Sequence, residues 1–65
     1  MTLTVNGERQ ETDAATLACL LEALELGDSV VATALNGRFV RAVDRDRTAL
    51  KDGDAVEILA PRQGG

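Results

Sequence analysis

The chain has no histidine, tryptophan or tyrosine, and only one cysteine, one proline and one phenylalanine in its 65 residues. Each scarcity removes a class of function. Without histidine, neither Cys19 nor Ser29 has an ordinary activating base, so there is no nucleophile–base pair. No cluster of cysteine and histidine offers a metal site, and Asp52-Gly53-Asp54 supplies too few oxygen ligands for a calcium loop. A lone Cys19 cannot close an intramolecular disulfide, which excludes a stapled secreted scaffold and makes a cytoplasmic location the expectation. No apolar run approaches a membrane span, and Met1-Thr2-Leu3-Thr4-Val5 lacks the basic region and long apolar stretch of a secretory signal. The G-x-x-x-x-G-K phosphate loop is also missing, so Gly37 and Gly53 are read as turn glycines.

Excess negative charge sets a further limit. The net charge is −4, and phosphate-backbone binding needs clustered lysine and arginine, so no nucleic-acid partner is expected. Arg38, Arg41, Arg45 and Arg47 do crowd one segment, but Asp44 and Asp46 interleave with them, as in a solvated loop. A chain this short is one domain at most, with an aliphatic core and no room for a substrate pocket enclosed on all sides.

What is present has clear periodicity. Met1, Leu3 and Val5 alternate with threonines, as in a strand, and Asn6-Gly7 is a strong hairpin signal leading to the polar return strand Glu8–Thr12. Thr16 is the expected helix N-cap. Leu17, Leu20, Leu21 and Leu24 share one helix face, Cys19 falls off it, and Gly27 is the expected left-handed terminator. Val30–Leu35 is a nearly continuous apolar run that predicts a central strand; Asn36-Gly37 is a second turn, and Arg38-Phe39-Val40 a short strand. In the polar segment 41–50, Val43 and Leu50 are the residues expected to reach the core. Asp52 and Asp54 are expected to bond nearby backbone in a tight turn before the last strand, Ala55–Leu59. Val56 and Ile58 share one face of that strand, and Leu59 points to the other. The pattern predicts an α+β fold: a four- to five-stranded mixed sheet with one main helix on one face, the first and last strands adjacent at the centre.

Pro61 limits further pairing, so residues 1–60 are expected to form the domain and 61–65 a flexible carboxyl-terminal tail. The tail ends in Gly64-Gly65. Glycine lacks Cβ and fits where a catalyst must close around a chain. The terminal carboxylate of Gly65 is therefore the candidate reactive group, with Gly64 giving access to it. Leu59, Arg62 and Gln63, beside it, are candidates for a partner interface. A carboxylate is a poor electrophile until it is joined to AMP, and nothing in the chain binds a triphosphate. ATP and magnesium would belong to an adenylating partner; the chain needs no cofactor or metal of its own and acts as a co-substrate.

Leu3-Thr4-Val5-Asn6-Gly7, Thr16-Leu17-x-x-Leu20-Leu21, Val31-Ala32-x-Ala34-Leu35-Asn36-Gly37, Asp52-Gly53-Asp54-x-Val56-Glu57-Ile58 and the final Gly64-Gly65 together resemble the ThiS family of thiamine-biosynthesis sulfur carriers. The resemblance implies a β-grasp, ubiquitin-like fold and a free monomer. It also implies adenylation of Gly65 by a ThiF-type enzyme, thiocarboxylate formation with sulfur from a desulfurase or similar donor, and delivery to a thiazole synthase. Arg41 stands where the family often has proline. The residues also fit a sulfur carrier for molybdopterin or cysteine synthesis, a ubiquitin-like modifier attached through Gly65, or an interaction module with an inert tail.

Overall fold

The computed structural model describes residues 1–60. Its elements, in chain order, are strands β1 (Thr2–Val5) and β2 (Glu8–Glu11), helix α1 (Leu17–Ala23), strands β3 (Ala32–Leu35) and β4 (Arg38–Val40), a 3₁₀ helix (Ala42–Arg47), and strand β5 (Ala55–Leu59). The five strands form one sheet in the order β2-β1-β5-β3-β4. Only the central β1–β5 pair is parallel; the other pairs are antiparallel. This mixed sheet with its single α-helix is a β-grasp arrangement, and the first and last strands meet at its centre as the pattern predicts.

Both hairpins owe their shape to Asn-Gly. Asn6 and Gly7 have φ of 52° and 84°, and Asn36 and Gly37 repeat those values. These are the two positive-φ positions of a type I′ turn, which matches the twist of the strands it joins.

The core lies between the sheet and α1. Leu3 and Val5 of β1, Val56 and Ile58 of β5, and Leu17, Leu20 and Leu21 of α1 are buried together with Leu50. Leu24 caps the helix and packs partly buried at the edge. Thr16 is the N-cap: its Oγ1 accepts the Cys19 N–H at 3.2 Å, and the Leu17 N–H is taken by Thr48 O at 2.9 Å. Two otherwise free donors of the first turn are thus satisfied, one of them by the distant segment that follows the 3₁₀ helix.

The helix does not end on Gly27. Glu25 is the left-handed residue, with φ 62°. Its N–H bonds Glu22 O at 3.0 Å, and the Leu26 N–H reaches back to Leu21 O at 2.8 Å. That is the Schellman pattern, and it places partly buried Leu26 against the core. Apolar docking of Leu26 decides where the helix stops, at Leu24, three residues before the glycine.

Among the described residues the sheet is covered on one face only, and three other expectations hold only in part. The apolar run 30–35 forms a strand only from Ala32, and within it Thr33 alone is buried. The run is interior to the sheet but is not enclosed on both sides. Val43 is 64% exposed, while Leu50 does reach the core. Segment 41–50 is not a plain loop but carries the 3₁₀ helix, held by Arg45. Its Nε donates to Thr33 Oγ1 at 3.0 Å and its Nη2 to Val31 O at 2.6 Å. Arg41 and Arg47 remain exposed beside Asp44, at 3.1 and 3.8 Å. Such surface pairs contribute little.

Candidate functional site

Strand β5 is the element that precedes the candidate carboxyl-terminal residues in the chain. Its alternation is strict: Val56 and Ile58 face α1, while Ala55, Glu57 and Leu59 face the open side. Leu59 is 65% exposed, on the face expected for it. Its partner across the ladder is Ala32, and Glu57 pairs with Ala34, which in turn pairs with Phe39 on β4. Phe39 is 70% exposed. The open face therefore carries an apolar strip, with small alanines between two large side chains and exposed Val30 at its end. Val30, Val31, Ala32, Leu59 and Ala60 line a shallow depression of about 340 Å³ where β5 ends.

Phe39, Val30 and Ala32 were not singled out by the sequence. The signal was available for Phe39: in the hairpin centred on Asn36-Gly37, Ala34 and Phe39 must lie opposite each other on one face. A lone aromatic next to alanine on an uncovered face is a surface feature, not core.

A larger concavity of about 470 Å³ lies on the helix side, between α1 and the 3₁₀ helix, with Cys19, Glu22, Gly27, Val43 and Asp46 among its lining residues. Size favours this groove; chemistry favours the smaller one. Cys19 is exposed and no histidine is present to activate it. Among the described residues no group of three or more His, Cys, Asp or Glu side chains is placed to hold a metal. Of the two, the depression is the one lined by Leu59 and Ala60, the last described residues before the carboxyl-terminal segment. The candidates Arg62, Gln63, Gly64 and Gly65, and the proposed tail boundary at Pro61, lie outside the described residues.

Both ends of β5 are held by asparagine side chains from the two hairpin turns. At the start, Asn36 Oδ1 accepts the Ala55 N–H at 2.9 Å, and Asn36 Nδ2 donates to Asp54 Oδ1 at 3.0 Å. At the far end, Asn6 Oδ1 accepts the Ile58 N–H at 2.8 Å and Asn6 Nδ2 donates to Ile58 O at 3.0 Å. Asp54 is buried, and its Oδ2 accepts the Lys51 N–H at 2.8 Å. The hydrogen bond from Asn36, then that from Lys51, stabilises the carboxylate and holds its pKa below the ordinary value. Asp54 bonds nearby backbone as expected. Asp52 instead reaches across to β1, accepting the Thr2 N–H at 2.7 Å. None of these groups is aimed at a ligand; they build the platform from which β5 runs outward.

No helix among the described residues is long and apolar enough to cross a membrane. Comparison with known proteins identifies the same architecture elsewhere. The model of the ThiS family matches residues 3–65. The crystal structure of a thiamine biosynthesis protein (ThiS) from Geobacter metallireducens is 40% identical, with a TM-score of 0.83 and 100% of both chains covered. A solution NMR structure of a thiamine biosynthesis protein from the same organism is 40% identical, with a TM-score of 0.80, covering 100% of this chain and 88% of that one. No curated protein matches this chain closely.

Proposed function

The chain belongs to the ThiS family, and on that premise we propose that it is a sulfur carrier for the thiazole moiety of thiamine, with the Gly65 carboxylate as its working group. The carboxylate attacks the α-phosphorus of ATP on a ThiF-type partner, which supplies the magnesium site and releases pyrophosphate. Hydrosulfide, released from the persulfide of a desulfurase-type donor by a thiol reductant that is itself oxidised to a disulfide, then attacks the acyl-adenylate, expels AMP and leaves a thiocarboxylate. A thiazole synthase receives the sulfur. In this reading the chain is a co-substrate throughout, and the partner enzymes perform the catalysis.

One observation carries the reading: β5, the central strand, is the last described element before Gly64-Gly65 in the chain, and it presents Leu59, 65% exposed, on the face of the sheet away from α1. A docking patch next to the reactive end is what a carrier needs, since its partner must grip the domain while the terminus enters the catalytic site. Arg62 and Gln63, which follow in the chain, are assigned to the same partner contact in this reading. The test is intact-mass spectrometry after incubation with ATP, magnesium, a ThiF-type enzyme and a sulfur donor. The expected result is replacement of one terminal oxygen by sulfur, abolished by deleting Gly65. Stable conjugates to lysines of other proteins, with no thiocarboxylate, would favour the modifier reading instead. A thiocarboxylate that a thiazole synthase cannot use would shift the assignment to the molybdopterin or cysteine pathway.

A further inference from the structure

We propose that Asn6 is a positioning residue for docking of the carrier: its side chain fixes the last rung of β5 at Ile58 and so holds Leu59 in place. This rests on the carrier reading above for its consequence, though not for its geometry.

The backbone ladder between β1 and β5 is short. Registered pairs run only from Thr4–Ala55 to Val5–Val56. The last backbone bond is from the Asn6 N–H to Val56 O at 2.9 Å. At Asn6 the chain enters the type I′ turn, with φ 52°, and leaves the plane of the ladder. Ile58 still presents its N–H and C=O toward that side, where β1 has run out. The Asn6 amide takes both, at 2.8 and 3.0 Å. A side chain thus supplies the rung that the turning backbone cannot. Amide and peptide have the same donor–acceptor pair, which is why asparagine suits the position: it tolerates positive φ and also mimics a backbone unit.

The held residue lies one position before Leu59. On the other side, Leu59 is paired with Ala32 of β3. With Ile58 gripped from β1 and Leu59 from β3, the strand keeps its alternation to the end, and Leu59 stays on the open face. Without Asn6, Ile58 loses its only protein partners on the β1 side among the described residues, and the strand end frays. A partner must then reorder Leu59 and Ala60 on binding. That cost falls on association, where it raises KM, and not on the chemical step at saturation.

Asn6→Gly is the informative variant, because glycine keeps the type I′ turn and removes only the amide. Asn36→Gly is its control: it removes the equivalent clamp at the opposite end of β5, and the bond to Asp54 with it. Two measurements are made on full-length protein, at a temperature where circular dichroism shows both variants folded. The first is ATP–pyrophosphate exchange by a ThiF-type enzyme as a function of carrier concentration. The second is hydrogen exchange of the Leu59 amide by NMR. Asn6→Gly should raise KM by about threefold to tenfold with little change in kcat, and should speed Leu59 exchange by a similar factor. Asn36→Gly should leave KM and Leu59 exchange near wild type even if it costs more stability. Unchanged Leu59 exchange in Asn6→Gly, or an equal rise of KM in Asn36→Gly, would overturn the proposal. Wild-type protein inert in the exchange assay would count against the carrier reading alone, while the amide measurement would still decide the role of Asn6.

Discussion

Asp54 shows how one polar residue is accommodated at the edge of an aliphatic core. It is only 6% exposed, yet both carboxylate oxygens have donors: Asn36 Nδ2 and the Lys51 N–H. Those bonds favour the ionised form and lower its pKa in the folded state. In the unfolded chain the group titrates near its ordinary value of about 4. A depressed folded pKa gives stability that is fully present above that value and is lost as pH falls through the folded pKa. Asp54→Asn removes this contribution and sets an amide against two donors. Urea midpoints should therefore separate wild type from Asp54→Asn at neutral pH, and the gap should narrow below about pH 4. A gap of constant size into strong acid would show that the Asp54 charge has no part in folding.

Among the elements, the end of α1 gives the sharpest test of what holds the fold. A non-glycine residue in the left-handed region costs roughly 1–2 kcal/mol relative to the right-handed one. Glu25 bears that cost because Leu26 must reach Leu21 and the core. Exposed Glu25 makes no side-chain hydrogen bond among the described residues, so little is lost with it. Glu25→Gly should therefore stabilise the protein by about 0.5–1 kcal/mol, after the extra entropy of glycine in the unfolded chain. In a domain of this size, that should appear as a melting-temperature rise of roughly 2–8 °C. Gly27 lacks positive φ, and an added Cβ would meet only the movable Glu22 carboxylate. Gly27→Ala should accordingly be near neutral. A large loss from Gly27→Ala together with no gain from Glu25→Gly would return the terminator role to Gly27.

For the molecule as a whole, one-sided coverage of the sheet separates stability from recognition. The helix face holds the core, and the open face holds Leu59, Ala32, Ala34 and Phe39, with Glu57 among them. Leu59→Asp should change stability by no more than about 0.5 kcal/mol, as exposed substitutions do, yet weaken binding to the adenylating enzyme by about tenfold or more. Val43→Asp is the matched control, since Val43 is 64% exposed and lies on the groove at the helix side. It should leave that affinity unchanged. Equal weakening by the two variants, measured by titration calorimetry, would mean that general charge and not the Leu59 face governs docking.

Strand alternation in Met1–Val5 and Val56–Leu59, the Asn-Gly pairs and the Leu17-Leu20-Leu21 stripe determined the hairpins, the helix face and the outward placement of Leu59. Local sterics and the need to bury leucine act over a few residues, so short-range patterns record them. Tertiary structure alone decided the stop of α1 at Leu24, the exposure of Val43 and Val30, and the joining of Phe39, Ala32 and Leu59 into one face. It also turned Arg45 inward and set Asn6 against Ile58, 52 residues away. Each of these depends on partners distant in sequence: a core position for Leu26, a carbonyl at Val31, a strand that outruns its neighbour. Periodicity records which face a residue prefers, and only the folded chain shows whether anything covers that face.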